Sequence, residues 1–598
     1  AVSENRLEYL FGPSSAQAGE TVPASLQTVV LTDIDVLPAY AFEGCASVRS
    51  VSLPDTVTGI GEYAFSRCAS LSGFVIPSTV REIGEYAFSN CASLTQLSLS
   101  DSVEAIGEKA LEGCSSLEEL TLPFLGAGAE ETEDSHFGYL FGAQLYSDDK
   151  QEVPASLAKV TLTGGPLPRY AFAGCRFLEE VVLPEDLGSV GEYAFSNCVS
   201  LQTLSLPAGV TSIGAWAFNN CAQLSACTLP SGLKEIGTGA FSQCALIEEM
   251  TVPSALEKMG SGVFSGCTSL SSLTLPFLGL SAQEPETLSY LFGDVPSSLR
   301  SVALTGGTAL AASAFSQCAS LTEIALPETL TSVGAYAFGG CSLLQEIVLP
   351  DSVAEIGDSA FYGCSSLTAI TLPFAGASAQ GGENTHFGYI FGAVAYRGNA
   401  RSLPQSLRSV TLTGGESIGA RAFYGCDRLR EISLPKTLRT VGEDAFSLCT
   451  SLEKVTAEEM AAWCGISFAN ASANPLSCAA SLYCGGEQVT SLRPTDGISS
   501  IAPYAFYGYA ALTDISFGAD LLSVGAHAFE NCTGLTQITL PDGVESVGQG
   551  AFAGCSSLTV ASLPFVGGGA EENTFLGYIF GAENHEENGA CVPASLRE

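Results

Sequence analysis

Several residue types and patterns are scarce in this chain of 598 residues. It contains 4 His, 3 Met and 2 Trp, and its 23 basic residues face 63 acidic ones, for a formal net charge of −40 at pH 7. A surface with so much negative charge repels phosphate backbones, so we expect no nucleic-acid partner. No apolar run approaches the length of a membrane-spanning helix, so we expect no direct insertion into a membrane.

Motifs that would indicate catalysis or a bound cofactor are also missing. The sequence has no CxxC pair with zinc spacing, no HExxH, no phosphate-binding or dinucleotide-binding fingerprint and no Ser-His-Asp arrangement. Nothing singles out two of the 63 carboxylates as a glycosidase pair. We therefore expect no enzyme, no cofactor and no metal site. The acidic runs 147–149 and 583–587 match no EF-hand loop, and weak calcium binding by them is left open.

What the sequence does contain is a repeat of 23 residues. Fixed periods of 20–50 residues indicate stacked repeat architectures. Seventeen units share an aromatic or leucine residue at the same phase. These phased residues are Phe42, Phe65, Phe88, Leu111, Phe172, Phe195, Phe218, Phe241, Phe264, Phe315, Phe338, Phe361, Phe423, Phe446, Phe506, Phe529 and Phe552.

One clean unit, residues 71–93, reads LSGFVIPSTVREIGEYAFSNCAS. Its first part alternates apolar and polar residues, as a half-buried strand does, and Pro77 ends that strand's pairing. The V-x-x-I step returns apolar side chains to the core, and A-F-x-x-C fits one short helical or 3-10 turn. Gly precedes the phased residue by four positions in 13 of the 17 units, which indicates either positive φ or close backbone approach. Pro38, Pro168, Ala311 and Ala502 replace it elsewhere, so not every turn requires positive φ.

Cysteine is abundant, with 21 residues, but 16 of them lie three positions after the phased residue, and Tyr509 takes that position in the remaining unit. Stacked parallel side chains have poor geometry for disulfides, so we predict buried, reduced thiols. Five cysteines are out of phase: Cys227, Cys464, Cys478, Cys484 and Cys591. Whether Cys464, Cys478 and Cys484 form a disulfide is left open.

The run AFSNCASLTQLSLSDSVEAIG at 87–107 resembles the treponemal, BspA-like class of leucine-rich repeats. The resemblance covers nearly the whole chain. It implies a solenoid of parallel strands with short helical or 3-10 turns, in a bacterial protein that is secreted or displayed on the cell surface. Some members of the family are linked to adhesion. The N terminus shows no signal peptide, and we expect that one has been removed. The C terminus, 593–598, stops inside a motif that continues elsewhere in the chain, so we expect the chain to be a piece of a longer protein.

Three interruptions break the phase, at about 122–165, 275–307 and 372–415, and each carries a Tyr-Leu/Ile-Phe-Gly motif. We interpret each as one enlarged rung of a single solenoid over 1–598. Partial copies occur at 6–34 and 563–598, and an irregular module lies at about 453–500, where Trp463 is expected in the core.

The aromatic residues of an enlarged rung either plug the local core or contact a partner, and the polar segments either project as binding loops or are simply solvated. The candidate binding residues are Glu130, Glu131, Glu133, Asp134, His136, Tyr139, Glu284, Glu286, Tyr290, Glu383, Asn384, His386 and Tyr389.

These observations favour a non-catalytic, adhesin-like binding scaffold, extracellular or on the cell surface, with an extracellular protein or glycan as its ligand. A structural spacer that carries another domain is the second hypothesis and predicts uniform polar faces. An enzyme with a cleft built by the inserts is the third, and it requires clustered titratable groups in a deep pocket.

Overall fold

The alternating segment and the V-x-x-I segment of each repeat both form short parallel strands, here called the first and second strands. The computed structural model describes residues 7–11, 22–129, 135–145, 149–379, 383–493 and 497–597. The chain divides into two compact units, residues 1–305 and 306–598. Each unit is a β-solenoid, in which equivalent strands of successive rungs pair side by side.

Unit 1 contains eleven first strands, eight second strands and one antiparallel hairpin among its described residues. Its first strands are Thr28–Val30, Ser50–Ser52, Gln96–Ser98, Glu119–Leu122, Lys159–Leu162, Glu180–Val182, Thr203–Ser205, Ala226–Thr228, Glu249–Thr251, Ser272–Leu275 and Ser301–Leu304. Its second strands are Val36–Leu37, Gly59–Ile60, Glu82–Ile83, Ala105–Ile106, Ser189–Val190, Ser212–Ile213, Glu235–Ile236 and Lys258–Met259. The hairpin joins Gly279–Ser281 to Glu284–Pro285, and the helices are Leu7–Phe11, Phe137–Phe141, Asp149–Glu152 and Leu288–Phe292.

Unit 2 repeats this organisation. Its first strands are Glu323–Ala325, Glu346–Val348, Ala369–Leu372, Ser409–Leu412, Glu431–Leu434, Lys454–Ala457, Ser481–Cys484, Ser491–Leu492, Asp514–Ser516, Gln537–Thr539 and Val560–Ser562. Its second strands are Ala309–Leu310, Ser332–Val333, Glu355–Ile356, Ser417–Ile418, Thr440–Val441, Ser467–Phe468, Ser500–Ile501, Ser523–Val524 and Ser546–Val547. Glu487–Gln488 pairs back on Ser481–Cys484 as a hairpin, and the helices are Phe387–Phe391, Tyr396–Gly398, Asn399–Ser402, Met460–Cys464, Ala471–Ala473, Pro475–Ser477, Leu576–Phe580, His585–Glu587 and Asn588–Cys591.

The strand register follows the sequence period, so that each apolar side chain stacks on its counterpart one repeat away. Ile60 pairs with Ile83, and Ile83 pairs with Ile106. All 17 phased residues are buried, and their rings form rows; Phe195 and Phe218, for example, stack with centroids 5.3 Å apart at 9°. No single repeat could enclose this row, so its stability comes from contacts between neighbouring rungs. The predicted register is confirmed.

The recurrent glycine is required by close backbone approach. A Cβ on Gly84 would lie 2.5 Å from the backbone nitrogen of Glu62 in the preceding rung, nearer than any real carbon contact. Four rungs have another residue in place of this glycine: Pro38, Pro168, Ala311 and Ala502. Each of these rungs is the first regular rung after an interruption or after the N-terminal partial copy, so no regular rung precedes it. The exceptions noted in the sequence therefore follow from packing against the preceding rung.

Positive φ occurs instead at two other positions, two residues before and two residues after the phased residue. Tyr63 has φ 52°, and Tyr193 and Trp216 have φ 57° and 56°. Sequence alone would not place bulky side chains in the left-handed region, which favours Gly and Asn. Hydrogen bonds between rungs hold the conformation; the Tyr193 N–H, for instance, donates to the Ala215 carbonyl oxygen over 3.0 Å.

The 16 phased cysteines are buried, and none of the 21 cysteines, all of which lie in the described ranges, is in a disulfide. In most of these rungs the thiol donates a hydrogen bond to the backbone carbonyl of the phased residue in the preceding rung, as Cys221 does to Phe195 over 3.2 Å. Burial raises the pKa of the Cys364 thiol to about 12. The phased cysteines are thus buried, as predicted, and among the described residues no disulfide joins Cys464, Cys478 and Cys484.

Candidate functional site: the enlarged rungs

The enlarged rungs leave the first-strand sheet continuous. In the first enlarged rung, Glu119 pairs with Lys159 and Leu122 with Leu162, although some forty residues separate the partners in sequence. The second and third behave alike, as the pairs Ser272–Ser301 and Ala369–Ser409 show. The additional residues therefore leave the solenoid beyond the end of a first strand and return before the next.

The second-strand sheet, in contrast, is interrupted at each enlarged rung. In unit 1 one such sheet ends at Ala105–Ile106, and in unit 2 another ends at Glu355–Ile356. Single antiparallel bridges, Ala105 to Gly128 and Glu355 to Ser378, cap these two ends. The inserted segments consequently emerge on the second-strand side.

A buried helix anchors each insert. In the third enlarged rung the helix Phe387–Phe391 takes over the hydrogen bonds of a regular rung: the Phe361 N–H donates to Ile390 O over 2.8 Å, and the Phe387 N–H donates to Ala422 O over 2.8 Å. Phe387 also packs on the ring of Phe423 with centroids 5.0 Å apart. The aromatic motif therefore fills the local core.

Equivalent bonds occur in the first rung, where Leu111 N–H donates to Leu140 O over 2.8 Å, and in both partial copies. There the Leu7 N–H donates to Ala41 O over 2.7 Å, and the Phe552 N–H donates to Ile579 O over 2.8 Å. One anchoring geometry thus serves inserts of different sequence.

The two candidate histidines lie inside this anchor. His136 and His386 are buried, with 5% and 7% of their surface exposed. Nε2 of His386 is 2.9 Å from the carbonyl oxygen of Ala393, at the end of the same helix. Neither imidazole can contact a partner while the rung remains folded, so their placement favours a packing role.

Asn399 is a buried polar residue that the sequence analysis did not single out. Its Oδ1 accepts from the Gly388 N–H over 3.0 Å, and its Nδ2 donates to the carbonyl oxygens of Ala422 and Tyr424 over 3.0 and 3.1 Å. In the C-terminal copy Asn588 accepts from the Gly577 N–H in the same way. Recurrence of Asn eleven residues after this glycine was the signal that could have identified it.

The three candidate tyrosines are partly exposed. The Tyr290 hydroxyl donates to the Met259 carbonyl oxygen over 3.3 Å; burial raises its pKa, and the charges of Glu286 and Glu284 raise it further. Burial also raises the pKa of Tyr389, with a smaller contribution from Asp358. The Tyr139 side chain is half-buried at the equivalent position of the first rung.

Tyr389 lines an open groove of about 420 Å³ beside the third insert. Ser332, Glu355 and Ser378 line the same groove. Its floor includes the ends of the second strands that the insert interrupts. The third insert therefore borders a concave surface that includes one aromatic side chain.

The candidate acidic and amide side chains that the structure describes lie outside the packed anchor. In the second enlarged rung, Glu284 is exposed in the short hairpin and Glu286 is exposed just after it. In the third, Glu383 and Asn384 are exposed just before the helix Phe387–Phe391. Glu284, Glu286 and Tyr290 come together in one rung, as do Glu383, Asn384, His386 and Tyr389 in another. The remaining candidates, Glu130, Glu131, Glu133 and Asp134, lie outside the described residues.

The irregular module packs as part of the unit 2 core. Trp463 is 1% exposed, and its Nε1–H donates to Ala505 O over 3.0 Å. Asn474 is fully buried and donates to the carbonyl oxygens of Tyr504 and Ala505 over 2.6 and 2.9 Å. The expected core position of Trp463 is thus observed.

In the ranges described above, no group of three or more His, Cys, Asp or Glu side chains is arranged to hold a metal ion. Within the same ranges, no helix has the length and apolar character needed to cross a membrane.

Repeated parallel strands, a 23-residue register and rungs enlarged by anchored inserts define a leucine-rich-repeat solenoid. The model described as "BspA type Leucine rich repeat region (6 copies)" matches residues 26–138, 166–282, 290–380, 403–474 and 477–577. The chain belongs to the BspA-type leucine-rich repeat family, which confirms the resemblance seen in the sequence.

Solved structures of similar sequence include a leucine-rich repeat protein from Bacteroides ovatus, 22% identical, with 81% of this chain and 88% of that one covered at a TM-score of 0.21. A leucine-rich cell surface protein from Faecalibacterium prausnitzii is 24% identical, with 65% and 86% covered at a TM-score of 0.23. With TM-scores this low, the family assignment rests on the repeat model. No curated protein matches the chain.

Proposed function

We propose that this chain is the non-catalytic binding scaffold of an extracellular or surface-displayed bacterial protein, and that it holds a protein partner through its enlarged rungs. The observation that carries the proposal is the division of each enlarged rung into a constant and a variable part. The anchoring helix repeats the same buried contacts, whereas Glu284, Glu286, Glu383 and Asn384 are exposed beside it. A rigid anchor that presents different side chains suits the display of binding surfaces.

The chemistry of the exposed segments favours a basic partner surface. The polar stretches differ among the rungs, with EETEDS at 130–135, AQEPETLS at 282–289 and GGENT at 381–385, yet all three contain carboxylates and none contains Lys or Arg. The net charge of −40 adds a long-range attraction for cationic proteins. Contacts of this kind weaken as salt rises, because the Debye length falls from about 10 Å at 0.1 M to about 3 Å at 1 M.

The regular rungs leave less freedom for such variation. Their phased residues, cysteines and glycines are dictated by burial and by close approach between rungs. The inserts can therefore vary in length and charge more freely than the regular rungs without disturbing the solenoid.

The test replaces residues 126–135 and 376–385 by shorter Gly-Ser links, while Tyr139, Phe141, Tyr389 and Phe391 stay in place. Binding of the parent and the shortened chain to an immobilised extracellular-matrix preparation is measured at 0.05 and 0.5 M salt. We expect the shortened chain to lose at least tenfold in affinity and the parent to bind less at the higher salt.

A matched control replaces the exposed hairpin residues 485–488 of the irregular module by a Gly-Ser link of equal length, and we expect it to bind as the parent does. Equal binding by the parent and the shortened, folded chain would refute the proposal. That outcome would favour the structural spacer, whose contacts do not depend on the inserts.

A further inference from the structure

A second surface, on the regular rungs of unit 1, has the character of a ligand site. It is a groove of about 670 Å³ on the turn side of three successive rungs, lined by Tyr170, Tyr193, Arg176, Asn197, Asn219 and Asn220 together with small residues. We call it the amide groove. Its volume lies within the range of about 300–1,000 Å³ that small-molecule sites occupy.

The groove forms where a small residue in one rung lies beside larger residues at the equivalent position of the next two rungs. Two residues after the phased residue the backbone is left-handed, and the three rungs carry Gly174, Asn197 and Asn220 there, with φ of 83°, 63° and 58°. Gly and Asn are the residues that adopt this conformation most readily. Gly174 and Ala173 leave space at one end, while the two asparagines form a wall of amides.

The amides form a chain that stays open at one end. Nδ2 of Asn220 donates to Oδ1 of Asn197 over 2.9 Å, and Nδ2 of Asn197 donates to Oγ of Ser196 over 3.2 Å. An amide offers two N–H donors and an oxygen with two lone pairs. In the described part of the chain, Oδ1 of Asn220 accepts no hydrogen bond, so both donors and acceptors remain for a ligand.

Two aromatic side chains also line the groove. Tyr170 and Tyr193 both line the groove and stack on each other with centroids 5.0 Å apart at 13°, so the ring faces that meet in the stack are covered and the ring edges are left for a ligand. The Tyr170 hydroxyl accepts a hydrogen bond from the Arg169 guanidinium over 3.0 Å. The guanidinium group of Arg169 lies 4.7 Å from the Tyr170 ring centroid and restrains that ring. Both tyrosines lie two residues before the phased residue of their rung. The fold does not require an aromatic residue at this left-handed position, because the rungs of Phe241 and Phe264 have Gly239 and Gly262 there.

The charge of the groove departs from that of the chain. The sequence carries 63 acidic residues, but the groove lining contains none in the described ranges, and it includes the exposed Arg176. A lining of amides, hydroxyl groups and aromatic edges matches a ligand rich in hydroxyl groups. Val199 and Ala173 add apolar surface against which the carbon atoms of such a ligand can pack, and the net charge of −40 opposes a nucleic acid.

We propose that the amide groove binds a saccharide, whose hydroxyl groups bond the side chains of Asn197, Asn219 and Asn220 while its ring lies against the edges of Tyr170 and Tyr193. The site is separate from the enlarged rungs and does not depend on their function. Neutral and uronate-containing sugars share the hydroxyl chemistry, and Arg176 is placed to pair with the carboxylate of the latter.

The experiment measures binding of the whole chain to an array of neutral and uronate-containing oligosaccharides. The test variant is Asn197→Gly with Asn220→Gly, because Gly is native at this left-handed position in other rungs and keeps the backbone unstrained. The matched control is Asn90→Gly, which makes the same change at the same position, φ 58°, outside the groove. Circular dichroism checks that all variants keep their fold.

We expect the parent and the control to retain at least one of the two sugar classes and the double variant to bind it at least tenfold more weakly. Absence of binding to both classes, or equal binding by the double variant, would overturn the proposal. The two proposals fail separately: the chain with shortened inserts should keep its sugar binding, and the groove variant should keep its binding to the matrix preparation.

Discussion

The hydroxyl group of Tyr509 donates a hydrogen bond to the Val489 carbonyl oxygen over 2.6 Å and accepts one from the Leu482 N–H over 3.2 Å. Tyr509 occupies the position of the phased cysteines, where a thiol normally bonds the preceding rung. The irregular module precedes it, and the longer side chain reaches across to the strands of that module. The one departure from cysteine at this position is therefore an adaptation to an irregular neighbour.

Restoring the common residue at this position should destabilise the protein. Tyr509→Cys leaves a cavity in place of a buried ring and removes two hydrogen bonds, for an expected loss of about 3–5 kcal/mol in the free energy of unfolding of this region. Tyr509→Phe keeps the ring and should cost about 1–2 kcal/mol. Chemical denaturation followed by hydrogen exchange on residues 480–530 measures both, and a cysteine variant as stable as the parent would contradict the argument.

Truncation of a phased ring should be equally costly. Phe218 is fully buried between the rings of Phe195 and Phe241, with centroids at 5.3 and 5.1 Å. We expect Phe218→Ala to lower the local free energy of unfolding by about 3–5 kcal/mol. The control is Phe177→Ala, which removes a ring that is 41% exposed, and it should cost well under half as much. Similar losses for the two variants would mean that the phased row is not the core.

Asn399 tests the role of the anchor in the third enlarged rung. Asn399→Ala leaves the Gly388 N–H and the Ala422 and Tyr424 carbonyls without this partner. Because each buried polar group left unsatisfied costs about 1–3 kcal/mol, we expect a loss of several kcal/mol and faster hydrogen exchange over 386–424. Asn384→Ala, at an exposed position in the same insert, should leave exchange unchanged. Unaltered exchange in the Asn399 variant would show that the anchor does not depend on this residue.

The buried thiols should make stability fall in alkaline solution. Burial raises the pKa of Cys364 from 9.0 to about 12 in the fold, and Cys114 and Cys267 are shifted to about 12 in the same way. The folded chain thus keeps protons that the unfolded chain releases. This stabilisation is complete below pH 9 and is lost as pH rises towards 12.

Denaturation midpoints measured between pH 8 and 11 should decrease above pH 9, and Cys364→Ala should reduce the slope. Alkylation of the native protein at pH 8 followed by mass spectrometry should modify the half-buried Cys478, Cys484 and Cys591 before any phased cysteine. Rapid alkylation of the phased set would show that the thiol row is open to solvent.

Local chemistry made much of the fold predictable. Each rung repeats the same burial requirement, so the strands can be identified from the alternating L-x-x-apolar segment, the Pro that follows it and the V-x-x-I step. The fixed repeat length also brings Ile60 and Ile83 into register. The same repetition predicts the buried position of the phased phenylalanines and cysteines. Periodicity also located the enlarged rungs, since Tyr389 and its neighbours break the 23-residue spacing.

The candidate site was predictable only in outline. The polar residues Glu284, Glu286, Glu383 and Asn384 are exposed, as expected for projecting segments, but His136 and His386 are buried within the anchor. A histidine before Phe-Gly-Tyr looks the same in sequence whether it faces solvent or a backbone carbonyl. The contact of His386 with Ala393 depends on how the helix turns back, and spacing does not encode that.

The sequence by itself determined the rung, its 23-residue register and the residues that must be buried, because these follow from side-chain polarity repeated at a fixed interval. Only the tertiary structure decided the relations between rungs. It showed that Gly84 is needed for backbone approach to Glu62, that Tyr193 lies in the left-handed region, and that Asn197 and Asn220 share one groove. The physical reason is that these features depend on distances between residues 22 or 23 positions apart, which are set when one rung packs on the next.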